Sequence, residues 1–320
     1  MIRCTTRGFD RLPRCCPAIC LLVAGYLFVG DLRSIGLCEE NASETKFKSQ
    51  ASSARWNELE RFARVVVGAC PSSARGHYWL GIALFNHGRT FAAANALRQS
   101  LAHADGAATH LALAQAYFLL NQRAFFHEEI AAAKALAPLS PDPFYWLGRY
   151  YYEQEARPDL AEEPLKQAVQ LNPQHVAALT LLALCFEERH EDQAAEEMLL
   201  RAVRTAGLGR VSSDLPFRTL AIFYLDRERP QDALPYIRRA AAIDPNSAEN
   251  AYVLGKISWK LNDLPAASAA LIKAVSLDAD NSNSHYILGQ VYKAQREPTK
   301  SAVEMGAFHR LEQLYGRAAH

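Results

Sequence analysis

Charge of one sign is what this chain most lacks. Its 35 basic and 34 acidic side chains leave a formal net charge of +1 over 320 residues, so no global field draws nucleic acid or an anionic membrane to it. Cysteine is scarce past the start: Cys4, Cys15, Cys16, Cys20 and Cys38 all lie in the N-terminal segment, and Cys70 and Cys185 follow. That distribution makes no disulfide framework. Catalytic signatures are missing too. There is no phosphate loop, no GxSxG, no CxxC and no HExxH. FHEEI around His127 offers one histidine, and EERHED, Glu187 to Asp192, lacks the ordered oxygens and glycine turn that calcium requires. No metal, no cofactor and no enzyme activity are expected.

Long apolar runs are also few. PAICLLVAGYLFVG, Pro17 to Gly30, is about 14 residues, short of the roughly 20 that a spanning helix needs. Arg3, Arg7, Arg11 and Arg14 precede it. A basic head before a short apolar stretch reads as a secretory signal over residues 1–36, with Ser34 and Gly36 as the small residues before a cut, or as an uncleaved membrane anchor. The expected location is therefore exported, periplasmic or extracellular, or membrane-anchored through residues 17–30. Membrane contact is expected through this segment alone. Residues 37–54 are polar and read as a disordered segment or partial helix. Residues 55–73 read as a lone second helix.

What the chain has in abundance is repetition. The leucine of a Leu-Gly or Leu-Ala pair falls at Leu80, Leu113, Leu147, Leu182, Leu220, Leu254 and Leu288, with gaps of 33, 34, 35, 38, 34 and 34. The next residue is always tiny: Gly81, Ala114, Gly148, Ala183, Ala221, Gly255 or Gly289. About 13 residues on comes a second set, Ala93, Phe126, Ala161, Ala195, Ala233, Ala267 and Ser301, each followed four places later by a large apolar residue. Within each half, apolar residues recur three and four apart, the stripe of an amphipathic helix. Each unit is thus two helices, with the tiny residues allowing close approach and the large ones filling the space beside it. Pro71, Pro138, Pro173 and Pro245 close units, since proline cannot continue a helix. GLGRVSSD, between the fourth and fifth units, carries about four extra residues and predicts a longer loop.

This pattern resembles the tetratricopeptide repeat, W-x2-L-G-x2-Y, then A-x3-F-x2-A, then P. The resemblance covers seven units over residues 74–315, with a polar C-terminal end. The family's tryptophan place holds His77, His110 and His285 in three units, expected as partly buried core histidines. The implied fold is all-α, an α-solenoid of stacked helix-turn-helix units wound as a right-handed superhelix. The implied function is a non-catalytic scaffold or adaptor holding a protein or peptide in its concave groove, or alternatively a regulatory or assembly subunit of an envelope enzyme or secretion complex. The places that face the groove in the family hold Tyr78, Phe85, Phe118, Tyr145, Arg149, Tyr152, Arg218, Tyr252, Lys256, Trp259 and Tyr286. Large aromatics with arginine are the residue types that carry interface energy. The basic set with which chaperone-binding members hold an acidic C-terminus does not assemble here.

Overall fold

The computed structural model describes residues 40–52, 54–210 and 213–315. Among these the chain is helical throughout, without strands. Sixteen α-helices follow one another as eight pairs: α1 (Glu40–Ser52) with α2 (Trp56–Ala69), α3 (Ala74–Asn86) with α4 (Thr90–His103), and α5 (Ala107–Leu119) with α6 (Arg123–Leu136). Then come α7 (Asp142–Glu153) with α8 (Pro158–Leu171), α9 (Val176–Glu188) with α10 (Asp192–Thr205), and α11 (Leu215–Asp226) with α12 (Pro230–Ile243). The last pairs are α13 (Ala248–Lys260) with α14 (Leu264–Leu277), and α15 (Ser282–Ala294) with α16 (Pro298–Tyr315).

The helices fall into two compact units, one reaching to Pro138 and the other running from Leu139. Within each, every helix packs on the next, and the first helices of successive pairs also touch. In the second unit, α7, α9, α11, α13 and α15 therefore form one unbroken rank. This is an all-α solenoid built of helix pairs.

The tiny residue has a specific job in each pair. A β-carbon on Gly81 would lie 2.6 Å from Leu97 Cγ, and one on Gly148 or Gly255 would lie 2.5 Å from Leu165 Cγ or Leu271 Cγ. The large aliphatic of the second helix thus lies over the glycine itself, not merely beside it. The turns inside pairs repeat as well. Gly88, Asn121, Ala156, His190, Glu228, Asn262 and Arg296 all take positive φ. The N–H one residue later bonds back to the first helix, for instance Arg89 to Leu84 O at 3.0 Å and Glu191 to Phe186 O at 2.9 Å. This is the left-handed helix stop, which Ala54 takes as well between α1 and α2, and glycine occupies it at a single one of the eight turns.

Three sequence expectations change. Residues 40–52 form α1, so α2 is not a lone second helix. The anchor is one ring: Phe47 is fully buried, 4.8 Å from Phe62 and 5.8 Å from Trp79. The stretch after α10 is not a plain loop either, because Ala206–Arg210 winds on as a π-helical turn with Ala206 buried. Finally, Cys70 is disulfide-bonded, whereas Cys185 is a free, buried thiol. The apolar run 17–30 lies outside the described residues. Among the described residues, no helix is long and apolar enough to cross a membrane.

Candidate partner-binding surface

The eleven candidate side chains divide between the two units. Tyr78 and Phe85, half-buried on α3, and Phe118 on α5 belong to the first. Phe118 is a core residue rather than a surface one. It is 3% exposed, with its ring 6.2 Å from that of Phe126 on α6. The other eight stand on the rank of first helices in the second unit. Tyr145, Arg149 and Tyr152 are on α7, Arg218 on α11, Tyr252, Lys256 and Trp259 on α13, and Tyr286 on α15. Tyr145, Tyr152 and Tyr252 rest one side on the main core cluster, and Tyr252 and Trp259 also pack against the cluster around Leu271 and Leu288. Tyr286 is the most open, at 40% exposure.

Electrostatics sort these residues further. Arg149 donates to Glu153 at 2.8 Å and lies 4.8 Å from the centre of the Trp146 ring. Burial, then the carboxylates of Glu188, Glu187 and Glu153 with Cys185, pushes the Tyr152 phenol up to about 12. Burial and Asp226 push Tyr252 up as well. Both phenols stay protonated at neutral pH and can donate to a ligand. Arg218 is already committed. It donates to Asp214 at 2.6 Å and to Asn250 at 3.2 Å, and Asn250, fully buried, donates to Asp214 at 2.8 Å and to Ala240 O at 3.3 Å. Expected as a groove residue, Arg218 is instead the centre of a polar node joining α11, α12 and α13, because its neighbours satisfy it inside the protein.

With that geometry in hand, the chain can be compared with known proteins. Residues 145–208 and 224–291 each match a family model described as tetratricopeptide repeat. Over these residues the chain carries tetratricopeptide repeats. No curated protein matches it. Among solved structures, this repeat protein resembles the anaphase-promoting-complex hetero-tetramer Cut9–Hcn1, with a TM-score of 0.67 and 14% identity over 83% of this chain and 51% of that one. It thus spans about half the length of that relative. A tetratricopeptide repeat protein from Parabacteroides merdae gives a TM-score of 0.56 and 15% identity, covering 78% of this chain and 98% of that one. YrrB, a tetratricopeptide-repeat protein with an unusual peptide-binding site, gives 0.48 and 16% over 57% and 92%.

Histidine at the repeat's tryptophan place is a pin rather than a ligand. His110 Nδ1 is 2.5 Å from Glu129 on α6, and its Nε2 is 2.7 Å from Asp105 ahead of α5. His285 copies this, with Nδ1 2.6 Å from Glu304 and Nε2 3.1 Å from Ala279 O. His77 reaches Pro71 O at 2.9 Å and stacks 5.8 Å from His103. The glutamate partners escaped sequence reasoning, although their signal was there: glutamate follows both His110 and His285 by nineteen residues. Cys185 is chemically quiet, since burial, joined by Glu162 and Glu188, pushes its thiol up to about 12. Among the described residues, no group of three histidine, cysteine or acidic side chains is placed to hold a metal ion.

Proposed function

We propose that this tetratricopeptide-repeat protein is a non-catalytic scaffold that holds a protein or peptide partner on the face formed by α7, α9, α11, α13 and α15. We further propose that it works outside the cytoplasm, exported or held at a membrane through residues 17–30. One observation carries the binding reading. Tyr145, Tyr152, Tyr252, Trp259 and Tyr286 keep part of their surface open along helices that touch, although five large aromatics would gain by full burial. Half-open aromatics on a rigid rank are what a partner's side chains pack against. The disulfide at Cys70 supports the location, because disulfides persist in oxidising compartments.

One experiment in intact cells tests both parts. A photo-crosslinking residue replaces Lys256 on α13 or, as the opposite-face control, exposed Lys273 on α14. Position 256 is expected to capture a discrete partner in the exported or membrane fraction, position 273 to capture none, and Cys70 to resist alkylation until reduced. Equal capture from both positions would refute the face. Recovery in the cytoplasm with a freely alkylated Cys70 would refute the location.

A further inference from the structure

The same face carries a charge pattern that narrows its partner, an inference that rests on the binding reading above. Most charged side chains there are satisfied internally. Arg149 pairs with Glu153, Arg218 with Asp214 and Glu249, Glu187 with Arg227 at 2.8 Å, and Lys260 with Glu228 at 2.9 Å. His175 lies 3.4 Å from Asp142. Four have no ion pair among the described residues. Glu188 ends α9, Asp226 ends α11, Lys256 is on α13 and Lys293 is in the last turn of α15. The two acids sit on adjacent helices and the two lysines on the next two, so the sign changes once along the rank, between α11 and α13. Aromatic surface lies among them. Tyr152 feels Glu188, Tyr252 feels Asp226, and Trp259 lies one helical turn from Lys256.

We propose that the occupant is an extended protein segment of split charge, basic where it crosses α9 and α11, acidic where it crosses α13 and α15, and apolar or aromatic between. Its spacing follows from the helices. Touching helices lie roughly 8–10 Å apart, so the acidic and basic pairs are centred about 20 Å apart, which about six extended residues span. A uniformly basic or uniformly acidic segment meets one complementary half and one repelling half. Opposite charges on the protein thus select against both, as like-charge juxtaposition does at specific interfaces.

The test uses the full chain and two fluorescent peptides of identical composition. One has two lysines, four neutral residues including tyrosine and leucine, then two glutamates, which centres its charge pairs about six residues apart. The other alternates the same charges. Fluorescence anisotropy at low salt is expected to show the split peptide binding about tenfold tighter, with the advantage shrinking as salt is raised. The Glu188→Lys/Asp226→Lys variant should erase the preference, as should Lys256→Glu/Lys293→Glu. Combining all four should restore it, because the pattern is then inverted and the peptide reverses. Equal or undetectable binding of the two isomers overturns the inference, and so does a preference that survives either double variant. If both peptides bind equally and both are lost with Trp259→Ala, the charge inference fails while the face stands.

Discussion

At the scale of single residues, the fold turns on contacts that leave no room for a methyl group. Gly148 meets Leu165 and Gly81 meets Leu97, whereas Gly68 on α2 has nothing within 4 Å of where its β-carbon would be. Gly148→Ala should therefore lower the unfolding free energy by about 1–3 kcal/mol through overpacking. Gly68→Ala, in open space within a helix, should leave stability unchanged or raise it by up to about 1 kcal/mol. Urea denaturation of both variants checks this, and a Gly148→Ala protein as stable as the parent would contradict the packing account. These glycines were legible in the sequence because they recur beside a leucine. Phe118 was not. Its place in the repeat is the one that Tyr152 and Trp259 keep half-open, but Phe126 on the paired helix draws its ring inward. Periodicity assigns a residue to a face, but whether a large ring there turns out or in depends on its neighbour.

At the scale of helices, capping and pinning set where each element stops and how pairs are held. Ser73, Ser247, Asp263 and Asn281 each accept the N–H three residues on, satisfying a donor that the helix start leaves free. The His110 pin joins α5, α6 and the preceding loop. Burial alone would lower its pKa, but the hydrogen bonds it donates to the carboxylates of Glu129 and Asp105 outweigh that and leave it raised. A histidine whose folded pKa is raised contributes stability that is fully present below its unfolded pKa, about 6.5, and is lost as pH rises through the raised value. Stability should therefore fall as pH climbs past about 6.5 by an amount that His110→Gln removes. Chemical denaturation from pH 5 to 9 reads the difference. Parallel pH curves for the two proteins would contradict the pin. Sequence reasoning placed this histidine partly buried without finding its partners, because the pair is made across two helices.

At the scale of the whole molecule, the helix-pair order from residue 74 onward was legible, since its signal recurs seven times. The start was not. SETKFKSQASS is polar enough to hide a helix that a single ring, Phe47, holds in place. The Cys70 disulfide escaped as well, because two cysteines far from the others give no spacing pattern. The binding face was legible as a list of positions, but which charges remained free was not. Arg218 reads like a groove residue until Asp214 and Asn250 are seen to enclose it. The central claim is that the aromatic rank of α7 to α15 binds the partner. Its most direct test is the affinity of the captured partner for the Trp259→Ala/Tyr286→Ala variant, beside Phe91→Ala, whose ring is 72% exposed on α4 in the other unit. With helical circular dichroism unchanged in both, the first should bind at least about thirtyfold more weakly, the loss of a hot spot of about 2 kcal/mol, and the second like the parent. A folded double variant that binds as tightly as the parent would contradict the account.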